Sequence, residues 1–550
     1  MKITINGKVK NISKPAKILD LFDNSEHKYY AAYVNNRLRE LNFEIRDDSK
    51  IELLDLSNDD VHRIYERSLR YVVVMAVKEL YPNSKISFDY TVSRNVYAEL
   101  NNLDHPFLHK DLNKIKAKIK DIINADMPIE RITLSKKDAI KYYKDNGWDD
   151  KVNILKYRPE NICHLYKCGD YMNYMYSYML PSTGYLNLHA FRLYSPGFLI
   201  YYPRAELNGK IPKFQDENTF RNTLKEQARW SDSQHINFIS QMNKIIIDGG
   251  ALELINVAEA RHNRQLCEIG QKIEENINRI KMICVAGPSS SGKTTFTNRL
   301  RIELKARGIE PLMISMDNFY LSKTLKSFPK DENGKNDLEH VDALDLKLFD
   351  ELLYKLIQGQ PVKLPIYDFK TDKRDFTEPV ILKENQPIII EGIHGLNPKI
   401  APSIPDSEKF KIFIAPLIQY KIDNENPIPI ADVRLIRRMV RDYLFRGASA
   451  ELTLSSWASV RKGEYRWIYP YCDSADYVFN SELSYELFVM KKYGLHILED
   501  IKQNSKYFMK ANGLIKFLKY FNSITDKWIP CNSILKEFLG GSIFYTTDKK

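Results

Sequence analysis

Cysteine is scarce in this sequence: six residues in 550, with no C-x-x-C pair. That is too few for a disulfide framework and fits a reducing compartment, so a cytoplasmic protein is expected. No apolar run approaches the length needed to cross a bilayer, so no membrane contact is expected. Residues 1–10 alternate polar and apolar positions like a strand and lack the apolar stretch of a secretory signal. Internal repeats and low-complexity tracts are missing as well. What is present is the composition of a globular protein, 43% hydrophobic and 28% charged. The length suits about three domains, each able to bury its own core. The net charge of +11 is spread along the chain rather than gathered in a tail. It suits anionic ligands, permits contact with nucleic acid without requiring it, and leaves self-association to an oligomer open.

Three segments differ in pattern. Residues 1–60 form a small β-rich unit, with a strand over 2–9 entering a hairpin at Asn6-Gly7 and further strands over 31–35 and 51–56. Residues 61–270 are a second, α+β segment. Helices are expected over 59–80, ending before Pro82, over 112–124 and over 135–145. Strands follow within 185–205, then a linker helix over about 251–278. Residues 271–550 alternate strands (280–286, 312–316, 387–390, 410–414) with helices (295–306, 344–357, 433–444) and end in a helical tail beyond 485. That is the βαβ rhythm of a parallel sheet covered by helices, so the expected fold class is multidomain α/β.

The sharpest motif is Gly287-Pro288-Ser289-Ser290-Ser291-Gly292-Lys293-Thr294, a complete G-x-x-x-x-G-K-[ST] phosphate loop. It lies between an expected strand and an expected helix, where its glycines let backbone N–H groups converge on phosphate oxygens at the positive helix end. The ATP-binding residues expected are Gly287, Ser289, Ser290, Ser291, Gly292, Lys293, Thr294 and Thr295. Lys293 can reach the outer phosphates, and the Thr294 hydroxyl can hold Mg²⁺.

Four later segments narrow the chemistry. Asp317, in Ser315-Met316-Asp317-Asn318-Phe319-Tyr320, falls at the C-terminal end of a strand, the edge where parallel sheets carry active sites. Its carboxylate can take a proton from an attacking hydroxyl or simply cap a turn. Tyr367 and Phe369, on an expected loop, can clamp a flat base or serve as packing. Glu391 ends the apolar run Ile388-Ile389-Ile390 as a Walker-B acid does, which suits the water shell of Mg²⁺. Arg434, Arg438 and Arg441 share a helical face, Arg437 lies on or beside it, and Arg446 follows. After a Walker A and a Walker B, such a stripe suggests a lid gripping polyphosphate rather than a solvated basic face.

In order and wording, residues 280–485 resemble the uridine kinases of the phosphoribulokinase/uridine kinase group. The resemblance rests on the phosphate loop, the 315–320 segment, Glu339-His340-Val341-Asp342-Ala343-Leu344-Asp345, Tyr367-Asp368-Phe369, Glu391-Gly392 and the arginine-rich lid. It implies that Asp317 is the catalytic base for a nucleoside 5′-hydroxyl. It implies that Lys293 and Thr294 hold ATP and Mg²⁺, that Glu391 helps the metal, and that Glu339 holds the ribose hydroxyls. It further implies Tyr367 and Phe369 in the base pocket, Arg438 on the substrate side, and Arg441 and Arg446 on the transferring phosphate. Two positions depart from the family. Asp372 stands where animal uridine-cytidine kinases have a base-pocket histidine, and Ala448 where they have a further lid arginine. These bear on base selectivity, not on phosphoryl transfer.

Residues 1–60 resemble a TGS domain, the β-grasp module of threonyl-tRNA synthetases, and 61–205 resemble the domain that edits mischarged tRNA in those enzymes. The matching residues include 76–82, 127–131 and 181–184. Aligned on these, Arg67 and Tyr71 fall at the family's H-x-x-x-H, and Met175 and Met179 at its C-x-x-x-H. Neither Met nor Arg can hydrolyse an ester or hold a hard metal at this spacing. His105 and His109 lie in a different segment and fit surface or capping positions. The resemblance implies a retained fold without editing, left to contact RNA, sense a ligand or serve as scaffold.

The expected reaction is transfer of the γ-phosphoryl group of ATP to the 5′-hydroxyl of uridine or cytidine, achieved mostly by positioning and charge neutralisation. Two rivals stay open. One is the same chemistry on another small hydroxylated acceptor such as a sugar phosphate, against which Tyr367 and Phe369 argue. The other is an RNA-binding regulatory protein using ATP as a switch, against which Asp317, Glu391 and the lid argue.

Overall fold

The structure, a computed structural model, describes residues 1–332 and 334–544. Strand Lys2–Ile5 turns at Asn6 and Gly7, both at positive φ, into antiparallel Lys8–Asn11. Asparagine and glycine tolerate the left-handed backbone that such a two-residue turn requires. Ser49–Leu54, Ala31–Val34 and Arg37–Glu40 complete a five-stranded mixed sheet.

Helix Asp59–Leu80 is capped by Asn58, whose side chain accepts from the N–H groups of Asp60 and Val61. Residues 68–77 of this helix are all buried, so it needs partners on every side. Ile3, Ile51 and Leu54 of the first sheet supply some; Phe88, Ala98, Phe198 and Ile200 of a second, four-stranded sheet supply others. The β-rich unit and the segment after it therefore share one continuous core.

From residue 282 the chain builds a parallel sheet in the order Leu312–Ser315, Ile388–Glu391, Met282–Ala286, Lys409–Ala415, Tyr477–Asn480. Its central strands are apolar at nearly every position because helices or loops cover both faces. The chain leaves Met282–Ala286 toward one side of the sheet and later returns to the other. The phosphate loop thus sits at a switch point of strand order, where open α/β sheets bind ligands. Register puts Glu391 beside both Val285 and Ser315, next to the loop.

Two hairpins have no counterpart in the sequence pattern. Val362–Asp368 pairs with Lys373–Val380, so Tyr367 lies on a strand and not on a loop, and Phe369 begins the turn. The second hairpin, Lys421–Asp423 with Asn426–Pro427, reaches into the N-terminal half. Phe88 N–H donates to Asn424 O at 2.9 Å, Asn424 N–H to Asp150 Oδ2 at 2.9 Å, and Lys151 Nζ to Asp423 Oδ1 at 3.1 Å. The lid helix Ile430–Arg446 begins directly after this hairpin, and Lys510 Nζ holds Asp432 in its first turn at 2.5 Å. Among the described residues no helix is long and apolar enough to cross a membrane.

Candidate active site

The phosphate loop is shaped by close packing. A Cβ on Gly287 would meet Ile414 O at 2.1 Å; Gly292 sits at φ +91° with Ile534 Cγ2 at 2.4 Å from where its Cβ would be. Ser290 holds a φ of 60°, which serine rarely adopts. The hydroxyls of Ser290, Ser291 and Thr295 are buried without a hydrogen-bond partner. Buried unpaired polar groups cost free energy, so the loop is built for a polar group from outside the chain. Thr294 Oγ1 donates to Glu391 Oε2 at 3.2 Å. Burial pushes the Glu391 carboxyl up to about 7, with Lys293 opposing it. A hydroxyl and a carboxylate side by side fit Mg²⁺, which takes few protein oxygens and keeps water and phosphate oxygens. Burial also pulls the Lys293 ammonium below its ordinary value, against Glu391 and Asp317.

The arginine stripe divides. Arg434 and Arg437, expected on or beside the face that grips polyphosphate, are fully buried and hold the loop by its carbonyls. Arg434 Nε donates to Ser289 O at 2.9 Å and its guanidinium pairs with Glu464; Arg437 Nη1 donates to Ser290 O and Ser291 O at 3.4 Å and pairs with Glu486. Carbonyls bound to arginines on one side leave the N–H groups to face the other. Arg438 Nη1 donates to Ser289 Oγ at 2.9 Å. Arg441 lies 2.7 Å and Arg446 3.6 Å from Asp442, and Arg446 is 60% exposed.

Asp317 lies in the short turn Met316–Phe319 at its strand's end. Its side chain is exposed in the cleft. Desolvation by the surrounding protein raises its carboxyl, while Lys293, Arg446 and Arg441 draw it back. Its charge also acts on Tyr320, a member of an aromatic corner. Phe369 meets Tyr367 edge-on at 4.9 Å and Tyr320 at 5.2 Å. Tyr320 is the member that sequence reasoning missed, although it follows Asp317 by three residues. Its hydroxyl donates to Leu338 O at 2.9 Å, beside Glu339. Asp372 does not face the corner as a free anion. It accepts from Tyr367 Oη, from Ser322 Oγ at 2.7 Å and from Lys323 N–H at 3.0 Å. The first two of these bonds lower its carboxyl to about 2, fixing a charge that locks the hairpin turn.

Glu339 is half-buried against helix Ala450–Trp467, where a Cβ on Gly463 would meet Glu339 Cβ at 2.4 Å. Burial, then the nearby Glu464, push its carboxyl up to about 7 against Arg438. In the unfolded chain it ionises near pH ~4.3. The folded state therefore binds more protons in between. Its stabilising contribution is complete below pH ~4.3 and is lost as pH rises through about 7. The melting temperature of the wild type should fall more steeply between about pH 5 and about pH 8 than that of Glu339→Gln. Parallel curves would show that Glu339 is ionised throughout.

In the N-terminal half, helix Asp59–Leu80 meets residues 166–180 around the four positions aligned with editing residues. Arg67 Nη1 donates to Tyr176 O at 2.8 Å, and Tyr71 Oη to Tyr166 O at 2.8 Å and Tyr171 O at 3.0 Å. Met175 and Met179 are buried in the core. The 421–427 hairpin packs into the same region. Glu425 accepts from Asn173 and from Tyr171 Oη (3.2 Å), and Arg70 bonds its carbonyl. His105 Nδ1 lies 2.9 Å from Pro106 O, and His109 opens helix His109–Asn124; both are far in sequence from this cluster.

A parallel sheet with a phosphate loop at its switch point, acids at the two neighbouring strand ends and an arginine helix over the loop is the architecture of a P-loop kinase-like domain. Residues 282–485 match the model of the family described as Phosphoribulokinase / Uridine kinase family. The N-terminal region matches threonyl-tRNA synthetases. The chain is 31% identical over 157 residues to the threonine–tRNA ligase of Syntrophomonas wolfei, and 29% over 190 residues to that of Clostridium kluyveri. These matches cover 28% and 34% of this chain, which spans only 25% and 30% of the ligases' length. A solved chain, a possible uridine kinase from Bacillus stearothermophilus, covers 39% of this chain with 98% of its own, at 20% identity and a TM-score of 0.26.

Proposed function

We propose that the protein is an ATP-dependent nucleoside kinase acting on the 5′-hydroxyl of uridine or cytidine. One observation supports this: the charges of Lys293, Arg446 and Arg441 act on the Asp317 carboxylate, and Asp317 and Glu339 both act on Tyr320, which packs with Phe369 and, through it, Tyr367. ATP lies along the loop N–H groups from Gly287 to Thr295. Thr294 and Glu391 would hold Mg²⁺, which would supply charge neutralisation at the phosphates. Asp317 takes the proton of the acceptor hydroxyl as it attacks, and the lid arginines stabilise the charge that moves onto the leaving phosphate. Tyr367 and Phe369 meet the base, and Glu339 accepts from the ribose hydroxyls. Asp372 is tied to Tyr367 and sets that ring's position. The test is a panel of nucleosides and sugar phosphates with ADP release measured. Uridine and cytidine should stimulate release and 2′-deoxynucleosides should do so poorly, because a site built on such bonds rejects a ligand that leaves them unpaired. Glu339→Ala should raise KM for the ribonucleoside at least about tenfold and barely change KM for ATP. Release with a sugar phosphate and with no nucleoside would overturn the acceptor assignment.

The N-terminal half we propose to be a scaffold without editing activity. The support is the hairpin packed among Arg70, Lys151, Tyr171 and Asn173, with arginine, tyrosine and methionines at the aligned positions. Metal analysis should find no stoichiometric zinc in this half, and the protein should not deacylate mischarged threonine tRNA. One tightly bound zinc per chain mapped to these positions would overturn the proposal.

A further inference from the structure

The C-terminal segment returns to the phosphate loop. Ser533, Ile534, Leu535 and Phe538 are fully buried. Ile534 lies against Gly292, Phe538 stacks 5.2 Å from the Arg437 guanidinium, and Gly540 packs on Phe445 of the lid helix. This packing fixes the backbone of the turn Lys536–Leu539 and brings Glu537 to the nucleotide cleft. Glu537 Oε2 accepts from Thr295 N–H at 3.0 Å. The Thr295 N–H lies in the first turn of helix Lys293–Ala306, among the donors that have no partner within a helix. In a loop of this kind such N–H groups take the inner phosphates of a nucleotide. The Thr295 hydroxyl is buried at the same place without a partner. The charge of Glu537 also acts on both Lys293 and Glu391, which puts the carboxylate within the same cleft.

One N–H cannot serve a carboxylate and a phosphate together, and the two anions repel. We propose that Glu537 is a built-in competitor for nucleotide phosphate, occupying the Thr295 N–H until ATP displaces its side chain. This rests on the phosphate loop being the ATP site. The apolar anchors at 534, 535 and 538 keep the backbone in place, so the carboxylate swings off while the segment stays. Apparent nucleotide affinity is then the intrinsic affinity reduced by the fraction of time the N–H is free. Because Phe538 rests on Arg437 and Gly540 on Phe445, the competitor is mounted on the lid helix as well as on the loop.

Calorimetric titration of the full-length protein with ADP tests this, using Glu537→Gln and Glu537→Lys, with Lys293→Ala as the control for the site. If the wild-type carboxylate holds the N–H about nine-tenths of the time, Glu537→Gln should bind ADP about tenfold tighter, and Glu537→Lys tighter still. A merely structural role gives the opposite order, because lysine disturbs the turn most and glutamine least. Should Glu537→Lys not fold, Glu537→Ala, which also lacks the charge, must tighten binding as Glu537→Gln does. ADP binding that needs Lys293 but is unchanged or weaker in Glu537→Gln would overturn this proposal alone. Failure of the wild type and every variant to bind ADP would overturn the ATP-site assignment and this proposal with it.

Discussion

Asp317→Asn is expected to lower kcat by about 10²- to 10⁴-fold, the usual range for losing a positioned general base. The amide keeps the size of the carboxylate and can still accept a hydrogen bond from the acceptor hydroxyl, but it cannot take the proton. The desolvation that raises the Asp317 carboxyl makes it a more willing proton acceptor, and the substitution removes that capacity outright. ATP affinity should stay within about twofold, since no phosphate-side cation or loop N–H is touched. Lys293→Ala should show the contrast, a weakened use of ATP through loss of a phosphate-side charge. Single-turnover rates and nucleotide titration separate the two effects. A kcat for Asp317→Asn within about threefold of wild type would take the residue out of the chemistry and leave it as a turn cap.

Asp317 and Glu391 are legible in the sequence because strand ends fix them. A short, mostly apolar run followed by an acid marks a strand's C-terminal edge, whatever packs around it. The phosphate loop is legible for a similar reason, since its glycines answer a local backbone demand. Arg434 and Arg437 are not legible in the same way. Helical spacing gives the angle of a side chain but not what lies against it, and Glu464 and Glu486 arrive 30 and 49 residues later. The hairpin at 421–427 is shorter still in signal, with strands of three and two residues. Its meaning lies in partners such as Lys151, 272 residues away. Glu537 reaches Thr295 across 242 residues, a contact that no local pattern announces.

Lys151→Ala is expected to destabilise the protein by about 3 to 5 kcal/mol, as removing one partner of a buried ionic cluster does. Lys151 is 4% exposed, Asp423 3% and Glu425 8%, with Lys151 Nζ at 3.1 and 3.5 Å from their carboxylates. Burial alone would pull the ammonium down, but Asp423, Glu425 and Asp150 hold it above the ordinary lysine value. Without it, Asp423 and Glu425 face each other in the interior without a cation between them. The cost therefore includes the repulsion left behind as well as the attraction lost. Because the hairpin leads into the lid helix, kcat should fall although the substitution is far from the phosphate loop. Urea unfolding monitored by circular dichroism measures the first effect and the nucleoside-kinase assay the second. A stability within about 1 kcal/mol of wild type would mean that the cluster does not anchor the hairpin.

The same cluster has a consequence in time. A chain synthesised at about 5 to 20 residues per second releases Lys151 from the ribosome roughly 15 to 55 seconds before Asp423, which follows 272 residues later. Through that interval the nascent first half carries a cation bound for the interior without the two carboxylates that pair with it there. The cleft beside Phe88 and Asn173 also lacks the strand pair that fills it. The final contacts of the first half must therefore wait for a short piece of the second to be translated.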